Sequence, residues 1–203
     1  MLSNKTLLEV LLSIGIVLLG GTFTAADAQE ATTAGDTGKN KPTLVIGSVT
    51  GQRGATATIP LYYRTVPKIA LRSVHLEFDF VSSSVKFVKA DKGIAAETQD
   101  YELSVKSSQL APERDDNKLE HTRISIDVAV ANSEGGKVLP EGLLAYLNFQ
   151  VPSDSKPAAI SLKPVSASAR NISKQPVDIG TESGLIMIAV EDEPGVVCFF
   201  FSH

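Results

Sequence analysis

Residues 72–80 read RSVHLEFDF and residues 121–130 read HTRISIDVAV. In both stretches polar and apolar side chains alternate, as in a β-strand with one buried and one solvated face. The apolar side chains are Val74, Leu76, Phe78 and Phe80 in the first stretch, and Thr122, Ile124, Ile126, Val128 and Val130 in the second. The polar side chains are Ser73, His75, Glu77 and Asp79 in the first, and His121, Arg123, Ser125 and Asp127 in the second. The two stretches predict strands of a sheet with one wet face.

Seven further short segments have strand character, with frequent β-branched residues and with Gly or Pro in nearly every gap between them. They cover residues 43–49, 55–63, 84–90, 101–106, 143–151, 159–165 and 185–190. No segment of ten or more residues after position 28 sustains a helical period. Antiparallel pairing is expected, because parallel strands need crossover helices. The pattern predicts an all-β fold, an antiparallel β-sandwich of about nine strands.

The N-terminal segment has the features of an export signal. Lys5 supplies a positive charge, an apolar run follows over residues 10–19, and Ala26-Asp27-Ala28 offers a small-x-small cleavage site. Residues 1–28 are therefore predicted to be a signal peptide, which implies a secreted, periplasmic or cell-surface protein. Residues 29–42 (QEATTAGDTGKNKP) lack apolar periodicity and predict a flexible linker.

The folded domain is predicted to span residues 43–193, followed by an apolar tail over residues 194–203. Cys198, the one cysteine of the chain, lies in that tail and cannot form an internal disulfide. An exposed apolar tail favours association. A self-associating structural protein of the cell envelope is therefore one hypothesis for the function.

Five segments, in chain order, resemble the cohesin family. They are GATATIPL (54–61), VHLEFDF (74–80), SVKFV (84–88), GLLAYLNFQV (142–151) and SGLIMI (183–188). Together they cover about residues 43–190. The resemblance implies a jelly-roll β-sandwich, related to that of several cellulose-binding modules.

The resemblance also implies a function, because cohesins bind dockerin modules on the sheet face that holds the two alternating strands. It implies a non-catalytic docking protein in a polysaccharide-degrading or cell-surface assembly, with a dockerin-like protein or a polysaccharide as its partner. The candidate contacts are Ser73, His75, Glu77, Asp79, His121, Arg123, Ser125 and Asp127. Leu71 and Ser73 stand where cohesins tend to have Asn or Asp, which is a departure from the family pattern.

Catalytic and metal-binding motifs are absent from the sequence. It contains no Gly-x-Ser-x-Gly, no His-Glu-x-x-His and no glycine-rich phosphate loop. Asp115-Asp116-Asn117 lacks the ligand spacing of a calcium loop. His75 and His121 lie on neighbouring strands if the resemblance holds, and a pair of histidines alone is too few ligands for a metal site. We predict no enzyme activity, no catalytic or metal-ligating residues and no cofactor.

Composition bears on the remaining partner classes. The net charge is −4 and no basic stripe with interleaved aromatic residues is present, so a nucleic acid is not expected as a partner. A carbohydrate-binding module of the same fold is an alternative function. Because the chain lacks Trp, sugar stacking would depend on Tyr62, Tyr63, Tyr101 or Tyr146. Tyr146 is expected to face inward, so no planar aromatic strip is predicted.

Overall fold

The computed structural model describes residues 41–111, 119–131 and 136–189. The predicted signal peptide, most of the predicted linker, and the tail with Cys198 lie outside the described residues. Within the described ranges, no helix is long and apolar enough to cross a bilayer.

The described residues form twelve β-strands and one short 3-10 helix. The first six strands are β1 (Thr43–Ile46), β2 (Ser48–Gly51), β3 (Thr56–Arg64), β4 (Leu71–Val81), β5 (Lys86–Lys92) and β6 (Tyr101–Gln109), with the 3-10 helix (Ile94–Glu97) between β5 and β6. The other six are β7 (His121–Val130), β8 (Gly142–Gln150), β9 (Ala158–Asn171), β10 (Pro176–Val177), β11 (Gly180–Glu182) and β12 (Gly184–Ile188). The predicted all-β class is confirmed.

The strands form two sheets that pack face to face. The first sheet has the order β11-β1-β3-β8-β5, and the second has the order β2-β12-β9-β4-β7-β6, with β10 paired to β9. Strands β3 and β8 occupy the middle of the first sheet, and β9, β4 and β7 occupy the middle of the second. The predicted sandwich is therefore confirmed, and the two sequence stretches that led to it are neighbouring strands at its centre.

Antiparallel pairing holds for most strand pairs, and the exceptions involve the first two strands. The pairs β1–β11 and β2–β12 are parallel. Parallel strands need a long connection between them. In both pairs that connection is nearly the whole domain, so no crossover helix is needed. The predicted single strand at residues 43–49 is divided at Gly47, where the chain passes from one sheet to the other. A Cβ atom at Gly47 would lie 2.6 Å from Cγ of Pro60.

The core lies between the two sheets and is built from their inward side chains. Phe149 on β8 is fully buried, and its ring makes edge-to-face contacts with the rings of Phe80 on β4 and Phe87 on β5, at centroid distances of 5.3 Å and 5.5 Å. This geometry is favourable for aromatic pairs. Since Phe80 belongs to the second sheet and Phe149 to the first, the cluster joins the two layers.

Two buried tyrosines should lower the free energy of unfolding at alkaline pH. Burial is the main cause that raises the pKa of both Tyr63 and Tyr101 above 10.0, and the Tyr101 hydroxyl donates to the Leu144 carbonyl at 2.6 Å. A raised pKa in the folded state means that this stability is complete below pH 10 and is lost as the pH rises through the folded-state pKa. We expect the free energy of unfolding to fall by about 1.4 kcal/mol per pH unit for each buried tyrosine in that range.

Denaturant unfolding at a series of pH values above 10 measures this slope. Tyr101→Phe removes one of the two titrating groups, so about half of the slope should remain. Tyr62→Phe, which alters an exposed hydroxyl, serves as the control and should leave the slope as it is in the unaltered protein. An unchanged slope in Tyr101→Phe would show that Tyr101 does not contribute to the alkaline loss of stability.

Candidate functional site

The eight candidate contact residues share the outer face of the second sheet. Strands β4 and β7 are antiparallel neighbours, and their register places His75 opposite Asp127, Glu77 opposite Ser125 and Asp79 opposite Arg123. The alternate side chains point into the core, and all except the half-buried Thr122 are buried: Val74, Leu76, Phe78 and Phe80 on β4, and Ile124, Ile126, Val128 and Val130 on β7. The alternation of polar and apolar residues in the sequence thus places the eight candidate contact residues on the solvent side.

Arg123 and Asp79 form a bidentate ion pair on this face. Arg123 donates from Nε to Oδ1 of Asp79 at 2.7 Å and from a terminal nitrogen to Oδ2 at 2.9 Å. This bidentate hydrogen bonding to Asp79 is the main cause that raises the pKa of the Arg123 guanidinium. The fork geometry fixes both side chains in one orientation. Both are partly solvent-exposed, so the pair positions charge on the surface and adds little to stability.

A second set of polar contacts surrounds His75. Nδ1 of His75 lies 2.8 Å from Oδ1 of Asp127, and Nε2 lies 3.8 Å from Oε1 of Glu77. Glu77 is held from the other side, because the Ser166 hydroxyl on β9 donates to its Oε2 at 3.0 Å. The imidazole therefore lies between two carboxylates. Together these contacts connect strands β7, β4 and β9.

His121 does not take part in this arrangement. It lies at the start of β7 opposite Val81, six residues from the partner of His75, which is a separation of about 20 Å along the strand. The two histidines therefore do not form a pair. Among the described residues, no group of three or more His, Cys, Asp or Glu side chains is placed to hold a metal ion.

The face is wider than the two strands that the sequence indicated. Strand β6 lies on the other side of β7, with Ser104 opposite Asp127 and Lys106 opposite Ser125. Strand β9 lies on the other side of β4, with Ser168 opposite His75 and Arg170 opposite Ser73. We call the outer surface of β9, β4, β7 and β6 the docking face, after the role that the resemblance implies for it. Its charged side chains include the acidic Glu77, Asp79, Glu102 and Asp127 and the basic Lys106, Arg123, Lys163 and Arg170.

The contribution of β9 to this face was not predicted, because the expected strand ends at residue 165 and the observed one at Asn171. The inward side chains of the missed part are Ala167 and Ala169, which give a weak apolar signal. The alternation of these alanines with Ser166, Ser168 and Arg170 was the available indication.

A shallow groove crosses one end of the docking face. Its volume is about 320 Å³, and it is lined by Ser73, His75, Asp127, Ala129, Ser168 and Arg170 among others. The small side chains of Ser73, Ala129 and Ser168 leave the groove open, and the charged groups stand at its sides.

The four tyrosines are divided between the core and the surface. Tyr63 and Tyr101 are buried, whereas Tyr62 and Tyr146 are 40% and 37% exposed on the outer face of the first sheet. The prediction that Tyr146 faces inward is wrong. Leu147 and Phe149 point into the core and Asn148 and Gln150 alternate with them, so the strand period places Tyr146 on the solvent side.

Comparisons with known proteins agree with this architecture. No protein-family model matches the chain, and no curated protein matches it by sequence. Solved structures do match. The sixth cohesin of scaffoldin B from Acetivibrio cellulolyticus, in complex with a dockerin, is 13% identical with a TM-score of 0.56, over 74% of this chain and 100% of that one. A type I cohesin in complex with a dockerin from Clostridium thermocellum is 17% identical with a TM-score of 0.57, over 74% and 100%.

A third match comes from a different setting. The non-cellulosomal cohesin from the hyperthermophilic archaeon Archaeoglobus fulgidus is 16% identical with a TM-score of 0.50, over 75% of this chain and 94% of that one. The shared architecture spans nearly the full length of each of these cohesins at a sequence identity below 20%. The two-sheet sandwich of this chain is therefore a cohesin-like fold.

Proposed function

We propose that this chain is a non-catalytic docking module that binds a protein partner through the docking face. The observation that carries the proposal is the four-stranded outer surface on which the charged side chains are already held in position. Arg123 is fixed by Asp79, His75 by Asp127, and Glu77 by Ser166. Charges ordered before binding lose little further freedom when a partner arrives, and they determine its orientation and identity.

The chemistry of the face indicates the kind of partner. Acidic groups outnumber basic ones where β4 and β7 are paired, and basic groups dominate β9. A partner with basic side chains over β4 and β7, and with acidic side chains over β9, would be complementary. The solved neighbours named above include cohesins in complex with dockerins, and a dockerin-like module is the partner that we propose here.

We also propose that the protein is exported from the cell. The predicted signal peptide at residues 1–28 and the predicted linker at residues 29–42 support export, with the domain displayed as a secreted, periplasmic or cell-surface module. A role in a polysaccharide-degrading or cell-surface assembly follows from the same proposal. Fractionation of cells that express the full chain, followed by N-terminal sequencing of the mature protein, tests this part separately.

Exchange of two charges on the docking face tests the proposed function. Glu77→Lys/Arg123→Glu keeps the net charge and breaks the contacts with Ser166 and Asp79. We expect the full-length chain to capture a specific protein from the exported proteins of its source organism. For the purified captured protein, calorimetry should show affinity weakened by about 100-fold or more in this variant, because mispaired interfacial charges cost several kcal/mol.

The other sheet offers a matched control. Lys89 and Asp91 form an ion pair of 2.8 Å on β5, and Lys89→Glu/Asp91→Lys exchanges two charges of the same kind there. This control variant should keep the unaltered affinity, and circular dichroism should show that both variants remain folded. Equal affinity of the docking-face variant and the unaltered protein would contradict the proposal.

A further inference from the structure

The outer face of the first sheet differs in chemistry from the docking face. Tyr62 on β3 and Tyr146 on β8 are exposed on neighbouring strands, with Pro60 directly opposite Tyr146 and Val45 of β1 directly opposite Tyr62. We call these four residues, with Asp91 opposite Tyr146 on β5, the tyrosine face. The docking face, by contrast, has no aromatic ring except the imidazoles of His75 and His121 among its described residues.

Hydrogen-bonding groups border the two rings. The Thr58 hydroxyl donates to Oδ1 of Asn148 at 2.8 Å, and Nδ2 of Asn148 donates to Oδ2 of Asp91 at 2.9 Å. Asp91 also accepts from Nζ of Lys89 at 3.0 Å. A hydroxyl, an amide, a carboxylate and an ammonium group thus form one chain of contacts beside Tyr146. These side chains are oriented before any ligand binds, and each keeps a donor or acceptor position open.

The tyrosine face runs across the strands, and this direction matters for a ligand. Asp91, Tyr146 and Pro60 form one row across β5, β8 and β3, whereas Tyr62 and Val45 form a second row, two residues further along β3. Strands are about 4.8 Å apart and residues about 3.3 Å apart along a strand, so the backbone positions of the two tyrosines lie about 8 Å apart on a diagonal. An extended chain of sugar rings that lies along this diagonal can therefore contact both tyrosines. Pyranoses whose substituents are all equatorial present flat C–H faces to aromatic rings, and their hydroxyls point sideways toward bordering polar groups.

From this geometry we infer that the tyrosine face is a second binding site, which takes an extended β-1,4-linked polysaccharide chain across strands β1, β3, β8 and β5. Tyr146 and Tyr62 stack on sugar rings, and Asn148, Asp91 and Lys89 bind the hydroxyls at one edge. A ligand here does not touch the docking face, because the two surfaces are on opposite sides of the sandwich. The module can then hold a glycan and a protein at the same time.

Calorimetry with cellohexaose tests the inference, and maltohexaose is the stereochemical control because its α-1,4 linkages curve the chain. We expect the full-length protein to bind cellohexaose, and to bind maltohexaose at least tenfold more weakly. Tyr146→Ala and Tyr62→Ala should each weaken cellohexaose binding by about tenfold, and the double variant should abolish it. Both rings are on the surface, so thermal unfolding should change little.

Variants of the docking face keep the two sites distinguishable. Glu77→Lys/Arg123→Glu should retain cellohexaose binding in full, whatever becomes of protein capture. Failure of the unaltered protein to bind cellohexaose would overturn the inference. Equal binding of maltohexaose, or unchanged binding in the double tyrosine variant, would overturn it too. A tyrosine variant that changes the oligomeric mass of the protein, without a change in glycan binding, would assign the surface to self-association instead.

Discussion

Phe149→Ala should destabilise the domain by about 3–5 kcal/mol. The ring is fully buried, and it contacts Phe80 of the opposite sheet and Phe87 of the neighbouring strand. Truncation removes both edge-to-face contacts and leaves a cavity between rigid β-sheets, which cannot collapse around it easily. Domains of this size have a total stability of about 5–15 kcal/mol, so the loss is a large fraction of the whole.

Unfolding in guanidinium chloride measures this loss as a lower midpoint concentration with an unchanged dependence of the free energy on denaturant. Phe149→Leu fills most of the space and should cost only about 1–1.5 kcal/mol. The difference between the two variants gives the effect of the cavity. A loss below about 1 kcal/mol for Phe149→Ala would show that the ring does not join the two sheets as described.

Gly93→Ala should cost about 3 kcal/mol, at the upper end of the penalties for overpacking. The backbone at Gly93 has φ −83° and ψ 174°, an extended conformation that every residue adopts. Glycine is required there for space, because a Cβ atom would lie 2.1 Å from the Leu143 carbonyl oxygen and 2.7 Å from its carbon. A carbonyl group cannot rotate away as a side chain can. The amide of Gly93 also donates to the Leu144 carbonyl at 2.9 Å, and that bond would be displaced.

Gly180→Ala is the matched control for this prediction. A Cβ atom there would meet Oγ1 of Thr43 at 3.0 Å and Cε of Lys41 at 3.2 Å, and both belong to side chains that can move. We expect Gly180→Ala to change the free energy of unfolding by no more than about 0.5 kcal/mol. Thermal unfolding of both variants under one set of conditions makes the comparison. Equal stability of the two would contradict the backbone collision at Gly93.

The part of the fold that could be predicted depends on the strict alternation of polar and apolar residues. Residues 72–80 and 121–130 place an apolar side chain at every second position, and a strand can bury that set in only one register. The pairing of β4 and β7, and hence the placement of His75 beside Asp127, follows from that pattern together with the family topology. The wet face could therefore be located before any contact was known.

Other features escaped the sequence because the local pattern was ambiguous. Leu143, Leu144 and Ala145 are three consecutive buried residues beside a register shift between β3 and β8. Such a run hides the alternation of inward and outward side chains, so the direction of Tyr146 could not be predicted from the sequence. The mutual fixing of Glu77 and Ser166 depends on a contact between residues 89 positions apart, and the small core side chains of β9 gave no signal strong enough to extend that strand.

The parallel pairing of β2 with β12 affects how the molecule can be synthesised and mature. Strand β2 (Ser48–Gly51) has β12 (Gly184–Ile188) as its sheet partner, and β1 has β11 as one of its two partners. The chain is synthesised from the N- to the C-terminus, so almost the whole domain must be made before its first strands can be fully paired. During that interval the edges of β1 and β2 are open to neighbouring chains. A premature stop before Gly184 would leave β2 without its partner.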